Sequence, residues 1–150
     1  MGAIFAGMKM PAKHRSVRVC AASESVSPNN SIHRMDSAAA PTRQSRYPSA
    51  MIVSGGGAYL TKIDYQSEDR KFVVGLWESG PGILKTDSYP HDEFCRVLEG
   101  HLITIDGTGR KQEFQAGDTF VIPKGWAGIW NMTTRFKKQC VSFYADEATN

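Results

Sequence analysis

The stretch DEFCRVLEGHLITIDGTGRKQEFQAGDTFVIPKGWAGIW, residues 92–130, decides the fold. Its short runs alternate apolar with polar residues and are cut by Gly, Asp and Pro, as in strands that bury one face and turn back. DGTG at 106–109, between HLITI and RKQEF, reads as a hairpin turn in which Gly supplies positive φ. The same texture spreads outward on both sides. It predicts strands at Ala58 to Asp64, Phe72 to Glu78, Ile83 to Ser88, Glu93 to Leu98, His101 to Asp106, Lys111 to Gln115, Thr119 to Ile122, Gly128 to Met132 and Lys138 to Tyr144. Further turns are expected at SGPG (79–82), LEG (98–100), AGD (116–118) and PKG (123–125). No amphipathic helix of three turns is visible, so the chain reads as an all-β sandwich or barrel.

With 150 residues the chain is long enough for one sizeable core and too short for two ordinary domains. No apolar run approaches the roughly 20 residues of a membrane-spanning helix, so no membrane partner is expected. Charge is uneven. Residues 1–46 hold 7 Lys/Arg against 2 acids, whereas residues 47–150 hold 11 against 13. The net +3 therefore belongs to the N-terminal stretch, and the folded part lacks the clustered basic surface that nucleic acid requires.

Residues 1–46 show no sustained period, and SESVSPNNSIHRMDSAAAPTRQS is rich in Ser, Ala, Pro and Asn. The stretch reads as a flexible basic extension, since it offers too little apolar surface to offset its ordering entropy. Its acid-poor, Arg/Ser-rich composition is also that of an organelle-targeting segment. Met35 and Met51 are alternative starts. Cys20, Cys95 and Cys140 are too few and too widely spaced for a disulfide framework, which points to a reducing, cytoplasmic home. A Cys95–Cys140 disulfide is conceivable only if their strands are neighbours.

Two spacings then stand out: Glu93, six residues, Gly100; and Gly117, five residues, Pro123, Lys124, Gly125. Separated by a hairpin, they resemble the two motifs of the cupin superfamily. Together with GLWES and SYPHDEFCRVLEG they resemble the small single-domain branch that includes ureidoglycine aminohydrolase and ethanolamine-utilization cupins. The resemblance covers roughly residues 50–145 and implies a single jelly-roll β-barrel with a small, polar ligand, a nitrogen-bearing one in the ureidoglycine and ethanolamine branch. It also implies positions for metal-binding histidines, which fall here on Thr86 to Tyr89 and on Gly128. None is histidine. Only Glu93 of the usual three His and one Glu is present, and a lone carboxylate cannot hold a transition metal. No metal or cofactor is expected on that count. One rival set is His91, Glu93 and Cys95, whose i, i+2, i+4 spacing shares one strand face if the strand reaches back to His91, the residue that follows Pro90.

The expected ligand site is Tyr89, Glu93, Cys95 and Trp130, inside the barrel. Parity puts Glu93, Cys95 and Val97 inward, and Trp130 inward with Gly128. Tyr89 offers a phenol at the place of a lost ligand, and with Glu93 it forms the candidate catalytic pair, the carboxyl raised in pKa by its aromatic surroundings. Trp77 reads as core or barrel mouth, and Cys95 as a small hydrophobe rather than a nucleophile. Phe94 and Leu98 point outward and offer a face on which a second copy could pack as a homodimer. Three functions follow: a small-molecule-binding barrel, a metal-independent aminohydrolase-like enzyme working through Glu93 and Tyr89, or a packed structural module.

Overall fold

The computed structural model describes residues 31–145. Its strands are β1 (Arg43–Arg46), β2 (Ile52–Gly55), β3 (Ala58–Gln66), β4 (Phe72–Ser79), β5 (Gly82–Thr86), β6 (Asp92–Glu99), β7 (His101–Asp106), β8 (Lys111–Gln115), β9 (Thr119–Ile122), β10 (Gly128–Met132) and β11 (Phe136–Phe143). A 3₁₀ turn, Ser49–Met51, is the one helical element among the described residues. All the strand pairs are antiparallel. One sheet has six strands in the order β1-β3-β4-β11-β6-β9, the other five in the order β2-β5-β10-β7-β8. This is the all-β barrel that the alternation predicts, of the jelly-roll type that the resemblance implies. No helix among the described residues is long and apolar enough to cross a membrane.

The alternation of the central strands becomes burial. Along β6, Glu93, Cys95 and Val97 are buried while Asp92, Phe94 and Arg96 are exposed. Between the sheets lies a core of Tyr59, Trp77, Leu84, Val97, Leu102, Ile122, Trp130, Met132 and Phe136. Gly100 makes the tightest turn. Its φ of 89° lies in the left-handed region, and an added Cβ would stand 2.0 Å from the Arg135 carbonyl. The hairpin at 106–109 is held by Asp106 Oδ1, which accepts from the backbone N–H of Thr108 (2.9 Å) and Arg110 (3.0 Å).

Two strands escape the sequence pattern. β1 and β2 are edge strands, polar or very short, and an edge strand needs no alternating apolar face. β1 falls inside the expected flexible extension, so that reading is corrected for its last residues: Arg43–Arg46 pairs with Ala58–Thr61 of β3. Upstream, Pro41 is buried and the His33 ring lies 4.9 Å from that of Tyr65. The buried Lys137 ammonium donates to the carbonyls of Ser37 (3.2 Å) and Ala39 (2.9 Å). The extension and targeting readings of residues 1–30 lie outside the described residues.

Candidate functional site

The site grows from the inner face of the six-stranded sheet. Register sets Ser142 beside Glu93, Cys140 beside Cys95 and Lys138 beside Val97, so the inward residues of β11 face those of β6. β4 continues the rows with Val73, Gly75 and Trp77. Two backbone bonds close the mouth: Tyr89 N–H to the Trp126 carbonyl and Gly125 N–H to the Tyr89 carbonyl, both 2.8 Å. Lys124 N–H adds a third tie to Asp92 Oδ1 (2.9 Å). The Pro123–Gly125 turn thus anchors the segment that carries Tyr89 and His91 at the barrel entrance.

Glu93 is the hub. Its Oε2 accepts from the Tyr89 hydroxyl (3.1 Å), the Ser142 hydroxyl (3.0 Å) and His91 Nε2 (3.0 Å). Its Oε1 accepts from the Cys95 thiol (3.2 Å) and from the Lys138 ammonium. An ionised carboxylate offers about four lone-pair sites and no proton, so it is saturated, and His91 must carry its proton on Nε2. His91 Nδ1 is buried with no hydrogen-bond partner. Glu93 and Lys138 are each 4% exposed, which makes this a fully buried ion pair. Lys138 also donates to Cys95 Sγ (3.4 Å), and its Nζ lies 5.5 Å from the Trp77 ring centre and 5.2 Å from that of Trp130. Flanking aromatic faces favour a desolvated cation.

This wiring reverses one expectation. Burial does push the Glu93 carboxyl upward, but the Lys138 ammonium and the bond from His91 outweigh it, and the group is held well below the usual carboxylate range. Glu93 is therefore not a carboxyl poised to donate a proton near neutrality. Burial likewise works against the Lys138 charge, yet its electrostatic interactions with the Cys95 sulfur and the Glu93 carboxylate hold the ammonium well above the usual lysine value. The neutral forms of the Tyr89 phenol and the Cys95 thiol are favoured by burial, with the Glu93 charge adding to the shift in both.

Beside the ion pair lies a cavity of about 30 Å³ lined by the apolar Ile63, Val73, Gly75, Leu76 and Trp77 together with Tyr47, Thr61, Tyr89, Glu93, Lys138, Cys140 and Ser142. Of the four expected ligand residues, Tyr89 and Glu93 line it. Cys95 and Trp130 belong to the same network by touching Lys138, outside the cavity lining. Trp77 is core and also flanks the cation. Near Gly128, where the resemblance implies a histidine, an added Cβ would stand 2.4 Å from the Ile105 carbonyl and 2.7 Å from the Trp126 indole. Trp126 fills that space. His91 lies inside after all, although it precedes the first residue of β6. The residue missed in the sequence is Lys138. Its signal was available, because it shares strand parity with Cys140 and Ser142 in FKKQCVSF.

His91, Glu93 and Cys95 do converge, as the rival reading requires. The Lys138 ammonium, however, stands on the carboxylate between them. Among the described residues no group of three His, Cys, Asp or Glu is arranged to hold a metal ion.

A two-sheet antiparallel barrel with a polar cluster on the inner wall of one sheet defines the class, and sequence comparison agrees. Residues 66–139 match the EutQ-like cupin domain, and the chain has the fold of a small single-barrel cupin. Among solved structures it is similar to the Clostridium difficile EutQ protein (21% identity, TM-score 0.53, 69% of this chain and 83% of that one). It is also similar to a putative ethanolamine utilization protein from Salmonella typhimurium (18%, TM-score 0.51, 71% and 98%). A third likeness is to a protein of unknown function from Pseudomonas syringae (20%, TM-score 0.60, 72% and 46%). At these identities the likeness is one of fold. No curated protein sequence matches the chain.

Proposed function

We propose that this cupin binds a small polar molecule in the cavity beside Glu93 and Lys138, and that the ion pair takes the place a metal holds in metal-binding barrels. The observation that carries the reading is the saturated, buried Glu93–Lys138 pair set against a cavity whose largely apolar wall also carries Tyr89, Tyr47 and Thr61. An ammonium bonded to the one central carboxylate supplies the positive charge there, and a cation brought to the same oxygens would meet it as a like charge. The donor set does not fit a resident metal.

Because Glu93 has no spare lone pair, its part is to order Tyr89, His91 and Ser142. The ligand is met by Tyr89, Tyr47, Thr61 and the flank of Lys138. About 30 Å³ admits only a few atoms, so the ligand inserts one polar group, such as an amine or amide, and leaves its remainder at the mouth. The Tyr89 hydroxyl on the Glu93 carboxylate favours a second reading, an aminohydrolase-like proton transfer through that pair. The small cavity favours a third, a packed structural barrel. The outer face favours pairing of two copies: Val121, Phe94 and Val141 lie in one cross-strand row, with Phe143 and Phe72 in the next.

A thermal-shift screen with small amines, ureides and sugar acids tests the binding reading. One ligand class should raise Tm in the wild type and lose most of that effect in Tyr89→Phe and Thr61→Val. Turnover of the same ligand would select the enzyme. No shift from any class would leave the structural barrel.

A further inference from the structure

Outside the roles given above, one pair of reactive side chains is placed together by the fold. Cys95 of β6 and Cys140 of β11 stand directly opposite each other in register, on the inner face of the six-stranded sheet. Both are thiols. Directly opposite residues of an antiparallel pair hold their Cβ atoms about 4.5–5.5 Å apart. A disulfide needs about 3.5–4.5 Å, so a small approach of the two strands suffices. The Cys140 thiol now points to the Gly75 carbonyl (3.7 Å), and a turn about its χ1 brings the sulfur across to Cys95.

We propose that Cys95 and Cys140 are a peroxide-responsive thiol pair that closes into a cross-strand disulfide at the wall of the site. Access decides the order of events. Cys140 lines the cavity, whereas Cys95 is 0% exposed and does not. A cavity of about 30 Å³ takes one or two molecules the size of water, hence hydrogen peroxide, and excludes a peptide disulfide such as oxidised glutathione. The Lys138 ammonium, which interacts electrostatically with Cys140, stabilises the sulfur as it attacks.

In the first step the Cys140 sulfur bonds to one peroxide oxygen and the O–O bond breaks; Cys140 becomes a sulfenic acid and the peroxide leaves one water. In the second, the Cys95 sulfur displaces the sulfenic hydroxyl, which departs with the Cys95 proton as a second water. Two thiols lose two electrons in all, and one peroxide becomes two waters. The disulfide removes the thiol proton that Cys95 donates to Glu93 Oε1 and draws Cys140 from the cavity wall, so oxidation reports directly on the Glu93–Lys138 pair. It stands whatever the site binds.

The test uses the full chain carrying Cys20→Ser, treated with hydrogen peroxide or with oxidised glutathione, then alkylated and analysed by intact mass and peptide mapping. Peroxide should lower the mass by two hydrogens, link the Cys95 and Cys140 peptides and block alkylation of both, reversibly with dithiothreitol. Oxidised glutathione should leave the native protein unchanged. In Cys95→Ser, dimedone should trap a sulfenic acid on Cys140. The proposal is overturned if the map of the Cys20→Ser chain, or of the wild type treated in the same way, shows only sulfenic or sulfinic acid, an oxygen bridge between Lys138 and Cys95, or no oxidation before unfolding. Both of these chains keep Cys95 and Cys140, so the readouts hold even if Cys95→Ser fails to fold.

Discussion

Part of each face of the six-stranded sheet departs from the usual arrangement of a half-buried sheet. The inner face buries a carboxylate, an ammonium, a histidine, a serine and a thiol. Part of the outer face bares Val121 (62% exposed), Phe94 (47%) and their neighbours Phe143 and Phe72. Hydrophobic economy would place these the other way. An apolar isostere pair inside would cost no desolvation, and polar residues outside would prefer water. The difference separates two jobs. On the proposed function, charge inside gives specificity at the site, and the apolar row outside is the face offered to a second copy.

The largest expected effect comes from breaking the inner network. Glu93→Gln leaves the buried Lys138 ammonium without a counter-charge and should cost about 3–5 kcal/mol in urea unfolding, with Lys138→Met similar. Combining the two should recover most of that loss, since neither charge then remains. If each single change costs below about 1 kcal/mol, the pair is not the organising contact.

Acid sharpens the same contrast. The folded Glu93 carboxyl titrates below its ordinary value of 4.5. Its contribution is therefore complete above that pH and is lost as pH falls from about 4.5 toward the lower folded value. The stability gap between wild type and Glu93→Gln should be flat near neutrality and shrink steadily through this range. A gap independent of pH would mean that the carboxyl is already protonated.

The outer face should respond more weakly. Lys137→Met removes the clamp on Ser37 and Ala39, and we expect about 1–2 kcal/mol of destabilisation with faster proteolysis between residues 31 and 42. An unchanged digestion pattern would show that the clamp does not hold the segment. Smallest in stability is Phe94→Asp with Val121→Asp, about 0.5 kcal/mol or less, because both side chains are exposed. By sedimentation that variant should be monomeric where the wild type is dimeric; a dimer in both would place the second copy elsewhere.

The same contrast explains what the sequence could tell. Strands β3 to β11 were legible because each carries an alternating or buried apolar face between turn residues, while β1 (RQSR) carries neither. Within the site, Tyr89, Glu93 and Cys95 could be found from motif position and strand parity. His91 was discounted because it follows Pro90, and only the tertiary ties of Tyr89 to Gly125 and Trp126 turn it inward. Two adjacent lysines carry no burial signal of their own; β11 sends one to each side of the sheet, Lys137 to the N-terminal segment and Lys138 to Glu93. The direction of the Glu93 shift depends on Lys138, so missing one residue inverted the chemistry of another.

If the Lys138 ammonium serves where a metal would, elemental analysis of the purified, untagged full chain should find divalent metal far below one equivalent, and a chelator should leave Tm unchanged. About one equivalent of a transition metal, lost in His91→Ala, would contradict that role and make His91, Glu93 and Cys95 a metal site.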